Sequence, residues 1–169
     1  MRYLLLLIVV FGGCKSNKAV SFVEEVTANE LCPEEGNCSY EILKNKKINY
    51  NYNNLSDFYP TFSEGDKLVF KFEYKQNEIP NTQDSSYREE VIIELDSTDL
   101  EFETTTFKGE KILFARWCYC KGQTGYYKIQ QGKLSVKKIE NNTYQLNLNF
   151  KMEQVPQVII EIKHVFSLE

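Results

Sequence analysis

The chain is short of the side chains on which catalysis leans. Its 169 residues hold one His, His164, and general acid–base and nucleophilic sites depend heavily on imidazole. His164 falls in register with Val158, Ile160, Ile162, Phe166 and Leu168, which puts it on the apolar face of a strand as a structural side chain. No GxSxG, HExxH, P-loop or dinucleotide fingerprint occurs, so no catalytic residue is predicted. Carboxylate-only hydrolysis has no local signature and is not excluded by motif. Basic residues are outnumbered, 20 Lys and Arg against 24 Asp and Glu, and no basic run interleaves with aromatics. That balance argues against a nucleic-acid partner. Four Pro and eight Gly provide no long flexible linker, and no stretch keeps a helical period beyond a turn or two.

The long apolar run that does exist is confined to the start, MRYLLLLIVVFGGCKSN. Arg2, the apolar residues Tyr3 to Phe11 and the small pair Gly12 and Gly13 have the layout of a signal peptide, too short to span a bilayer as a stable helix. The segment FGGC resembles the bacterial lipobox, with Phe11 where that pattern usually has Leu. The resemblance implies a lipoprotein: residues 1–13 cleaved, Cys14 carrying the covalent lipid, and residues 14–29 a lipidated N-terminus and short tether that runs into a first strand. Two or three acyl chains, at about 0.8 kcal/mol per buried CH2, make such an anchor effectively permanent. Lys15, Ser16, Asn17 and Lys18 follow without an Asp that would retain the chain at the inner membrane. The periplasmic face of the outer membrane is the expected location, with the cell surface second. Cleavage removes Arg2 and no acid, leaving 19 basic against 24 acidic side chains, a net charge of −5.

What remains, residues 30–169, suits a single domain with a sizeable core. Eleven Tyr and eleven Phe, among many Asn, Thr and Lys, favour half-exposed pleated strands. In KLVFKFEYK, Leu68, Phe70, Phe72 and Tyr74 face inward, and Val69, Lys71 and Glu73 outward. In TYQLNLNFKM the inward set is Tyr144, Leu146, Leu148, Phe150 and Met152. The same period of two predicts strands near 39–43, 47–52, 88–95, 99–107, 111–120, 125–130, 133–139 and 158–167, divided by turns at 96–99, 108–110, 121–125, 130–132 and 140–142. The expected fold is all-β: an antiparallel sandwich or closed barrel of about 8–10 short strands, with a meander-rich C-terminal half.

Five Cys are present. With Cys14 assigned to lipid, Cys32, Cys38, Cys118 and Cys120 form an even set in an exported chain, which points to disulfides. Zinc would need the same four side chains, and spacings of C-x5-C and C-x-C are not the usual knuckles, so no metal ligand is predicted. Three pairings are open. Two residues apart on an extended strand, Cys118 and Cys120 would have Cα atoms about 6.6 Å apart, near the outer limit for a bridge. That strain favours two bridges tying the 32–38 loop to the 118–120 strand, each closing some 80 residues and stabilising the fold by about 4 kcal/mol. A C-x-C pair also occurs in thiol–disulfide exchange, and this is the sharper alternative.

Three smaller signals complete the reading. Asp96-Ser97-Thr98 resembles the three-residue O-glycosylation site of exported Bacteroidota proteins, which would modify Ser97. Thr124-Gly125-Tyr126 resembles the TGY loop of chagasin-like cysteine-protease inhibitors. Tyr126 and Tyr127 are candidate partner contacts. The lipobox and the Lys-, Asn-, Tyr- and Phe-rich strands together resemble the small flavobacterial lipoproteins of unknown function. The expected role is a lipid-anchored, non-enzymatic envelope domain that binds a protein or envelope partner, with no cofactor beyond the lipid. The alternatives are a lipocalin-like barrel holding a small apolar ligand and a protease inhibitor.

Overall fold

A computed structural model describes residues 31–55 and 57–168. Cys14, the signal segment and the tether expected before residue 30 lie outside the described residues. Among the described residues there are nine strands and no helix: β1 (Gly36–Tyr52), β2 (Phe58–Gln76), β3 (Tyr87–Asp96), β4 (Phe102–Thr104), β5 (Ile112–Cys118), β6 (Gly125–Lys128), β7 (Gln131–Glu140), β8 (Thr143–Lys151) and β9 (Glu161–Ser167).

Two antiparallel sheets form, with orders β1-β2-β3-β5-β6 and β4-β7-β8-β9. Among the described residues each sheet keeps two edges and no ladder joins them, so the fold is a sandwich rather than a closed barrel. The final three strands are a meander, as expected. The inward sets of β2 and β8 are those the alternation predicts: Leu68, Phe70, Phe72 and Tyr74 meet Leu146, Leu148, Phe150 and Met152 in one continuous core. Phe114 of β5 packs on Phe150 at 5.9 Å between ring centroids. Two open-edged sheets overturn the closed barrel on which the lipocalin-like reading rests.

The first hairpin departs most from expectation. In place of two short strands, β1 is continuous over 17 residues and pairs along β2, which has 19. Asn45, at a φ of 56°, marks a bulge between Lys44 and Lys46, and a bulge bends and twists a strand. The half beyond it, an arm from Lys46 to Glu64, lies over the outer face of the first sheet. Ile48 of the arm is 1 % exposed and packs with Val69, Ile92 and Leu113, joined by Tyr50 and Phe58. Val69, expected to face solvent, is therefore buried in this second small core. Lys111 donates to the Ile48 carbonyl at 2.7 Å, while the Ile48 N–H donates to Glu94, so the bend is pinned by backbone as well as by apolar contact.

The C-terminal strand begins later than its pattern suggests. Ile159 is buried whereas Val158 and Ile160 are exposed, and only from Glu161 do Ile162, His164 and Phe166 face the core together. Gln157 accounts for the shift. Its side chain accepts from the Met152 N–H and donates to the carbonyls of Phe150 and Ile159, at 3.3 and 2.6 Å. It stands in for strand partners across the 152–160 bend, which takes in residues 158–160 that the sequence pattern placed in the last strand.

Candidate functional site

Strand order decides the cysteine question. Cys38 sits on β1 and Cys118 on β5, with β2 and β3 between them. Three steps at about 4.8 Å put their backbones roughly 14 Å apart, twice the reach of a disulfide. The bridges predicted between the 32–38 loop and the 118–120 strand therefore do not form. Cys32 bonds Cys38, with Cα atoms 5.9 Å apart, and Cys118 bonds Cys120 at 5.2 Å. The second pairing becomes feasible because β5 ends at Cys118 and the chain bends at Tyr119, shortening the 6.6 Å that full extension would impose.

Tyr126 and Tyr127, offered as exposed contacts, pack instead. Tyr126 lies against Trp117 and Phe58 at centroid distances of 5.3 and 6.5 Å, and Tyr127 lies against the main core. Thr124 ends the β5–β6 connection and Gly125, with a φ of 121°, opens β6 opposite Arg116, while Tyr126 packs inside the cluster just described, so the TGY segment presents no projecting tyrosine. Ser97 is exposed in the turn after β3 and donates its hydroxyl to the Asp66 carbonyl. Beside it Asp96 is held down to about 2, chiefly by its hydrogen bond with Lys67. His164 is half-buried and stacks on Tyr40 of β1 at 3.9 Å, 7° from parallel. Burial lowers its pKa to about 4, so it is a neutral packing ring at neutral pH.

Three features stand out once these residues are placed. The first is an open cleft of about 400 Å3 at the Cys118 end of the first sheet, lined among others by Lys75, Tyr87, Arg88, Trp117, Cys118 and Tyr119. Its floor is ordered: the Trp117 indole N–H donates to Glu90 at 2.9 Å, Arg88 lies 5.6 Å over the indole ring, and Arg88 pairs with Glu90 at 2.9 Å. Tyr119 stands free above it, 75 % exposed. A second open cleft, of about 460 Å3, gathers Lys108, Lys111 and Lys128 beneath Tyr50. Glu78 lines the first cleft, whose floor also holds Glu90, and Glu110 lines the second.

The second feature is the arm. Among the described residues ten large apolar side chains are exposed, and four of them, Tyr52, Leu55, Tyr59 and Phe62, lie on the arm or its tip. Leu55 is the most open at 82 %. Asn53 fixes the turn that carries it by accepting the N–H groups of Leu55 and Asp57.

The third is a buried carboxylate that motif reading missed. Glu89 of β3 is fully buried, in phase with the inward-facing Val91, Ile93 and Leu95. Its oxygens accept the backbone N–H groups of Val158 and Ile159, at 2.6 and 2.8 Å, and the Tyr87 hydroxyl. Arg116, its cross-strand neighbour, donates to the Tyr87 oxygen and to Gln123. Burial pushes the Glu89 pKa up, opposed by these hydrogen bonds and by Arg116, while burial raises Tyr87 to about 12. With its acceptors engaged and no opening to solvent, Glu89 acts as a clasp between the two sheets. Its position within an inward alternating set was the legible signal.

Among the described residues no group of three His, Cys, Asp or Glu converges as a metal site, and no helix is long and apolar enough to cross a membrane. Compared with protein-family models, curated proteins and solved structures, the chain matches none.

Proposed function

We propose that the protein is a lipid-anchored, non-enzymatic envelope domain that holds a protein partner through the β1–β2 arm. The observation that carries this reading is the concentration of exposed Tyr52, Leu55, Tyr59 and Phe62 on one element. Exposed apolar side chains gathered on one element mark an interaction surface rather than ordinary scatter, and tyrosine is a favoured contact at the centre of interfaces. The lipid on Cys14 would hold the chain at the membrane. The arm's outward-facing ladder is polar, with Asn49 donating to Ser63 at 2.8 Å and Asn51 to Thr61 at 2.7 Å, which keeps the element ordered without a partner.

The test is photo-crosslinking in intact envelopes from a benzophenone side chain at position 59, with position 149 on the second sheet as the control site. One discrete adduct is expected from position 59 and none from 149. Leu55→Asp should reduce it at least tenfold, with circular dichroism unchanged. Cys14→Ala separates anchoring from contact: the chain should leave the membrane fraction yet still crosslink when the partner is resupplied. Equal adducts from both positions, or indifference to Leu55→Asp, would sink the assignment of the arm.

A further inference from the structure

We infer that Cys118–Cys120 is an exchangeable disulfide that accepts electrons from a dithiol peptide bound in the adjoining cleft. The two disulfides differ in where they stand. Cys32–Cys38 ties the loop before β1 to the start of that strand and packs against the main core. Cys118–Cys120 spans one residue, ties no two strands together, and lies at the point where β5 stops pairing and the chain bends. The cysteines of both bridges are half-buried, and what sets this bridge apart is that Cys118 lines the 400 Å3 cleft. A bond that is accessible and holds no two elements together meets the first requirement for exchange, which is that opening it leaves the fold intact.

The cleft supplies the second requirement, a seat for the reductant. Trp117, Tyr87 and Tyr119 offer aromatic surface to a peptide, Lys75 adds an ammonium group to the lining, and Arg88 lies in the floor against the indole ring, paired with Glu90. Lys121 follows Cys120 directly in the chain. Positive side chains favour the thiolate form, both of an incoming thiol and of the sulfur that leaves.

The step balances as simple exchange. A thiolate of the bound peptide attacks Sγ of Cys118, the Cys118–Cys120 bond breaks, and the electron pair leaves on the Cys120 sulfur, which takes up a proton. The peptide's second thiolate then attacks its own sulfur in the mixed disulfide and releases Cys118 as a thiol. The peptide dithiol is oxidised to a disulfide and the C-x-C pair is reduced to two thiols.

The test uses the full-length chain in detergent, equilibrated across glutathione buffers, with differential alkylation read by peptide mass spectrometry. Cys118–Cys120 should be half-reduced at a GSH2/GSSG ratio at least tenfold lower than Cys32–Cys38, with the far-ultraviolet spectrum unchanged. In Cys120→Ser, Cys118 should form a mixed disulfide with glutathione. Because the first measurement is made on the wild-type chain, it stands even where the variant fails to fold. Equal ratios for the two bridges, greater resistance of Cys118–Cys120, or loss of β structure when that bond opens would overturn the inference.

Discussion

His164 shows how packing alone sets the charge state of a residue that motif reading would single out. Stacked on Tyr40 and 5.7 Å from the Phe70 ring, the imidazole has burial as the cause of its lowered pKa. The unfolded chain takes this proton near 6.5, the folded one only near 4. The unfolded state therefore binds more protons between these values, and stability falls as pH drops from about 6.5 toward 4. Above 6.5 the contribution is fully present. Because the ring is half-buried and partly screened, the loss should be about 1–3 kcal/mol. Urea titrations of wild type and His164→Phe at pH 7.5 and pH 4 provide the check. The difference in unfolding free energy between the two pH values should shrink by that amount in the variant, and an unchanged difference would remove His164 as its source.

Glu89 belongs to the scale of elements, because what it joins is β3 of one sheet and the β8–β9 connection of the other. The two carboxylate oxygens serve two backbone donors, a task that a carboxamide cannot perform, since its nitrogen would face an N–H. Glu89→Gln should therefore destabilise by about 2–4 kcal/mol, the cost of leaving a buried donor unpaired and disrupting a charge-assisted network. Urea unfolding at pH 7 measures that loss, and hydrogen exchange should show the Val158 and Ile159 amides losing protection ahead of the β2 and β3 ladder. Uniform loss of protection would show that the clasp is not local. The elements themselves were legible where one face is buried and the other wet, as in β8. They were misread where a second layer covers the wet face. The apolar residues Val69, Ile92 and Leu113, each in an outward position on its own strand, were the trace of that layer. Alternation within one strand could not reveal it, because the signal appears only when neighbouring strands are set side by side.

For the molecule as a whole, strand order is the quantity that alternation cannot supply, and it decided both the sandwich and the cysteine pairing. Knowing that β2 and β3 separate Cys38 from Cys118 changes the expected source of stability. Bridges closing some 80 residues would have contributed about 4 kcal/mol each, whereas loops closed by separations of six and two residues contribute about 2 and about 1 kcal/mol in the chain-entropy model. The fold must then rest on its two apolar cores and on clasps such as Glu89 rather than on covalent staples. Full reduction at pH 8 should leave the β-sheet circular dichroism intact at 25 °C and lower the unfolding free energy by no more than about 4 kcal/mol for both bridges together. Equilibrium urea unfolding of oxidised and fully reduced chain, with thiols blocked by alkylation, measures the difference directly. Collapse of the reduced chain to a disordered spectrum would mean that the cores are insufficient and that the local loops carry the fold.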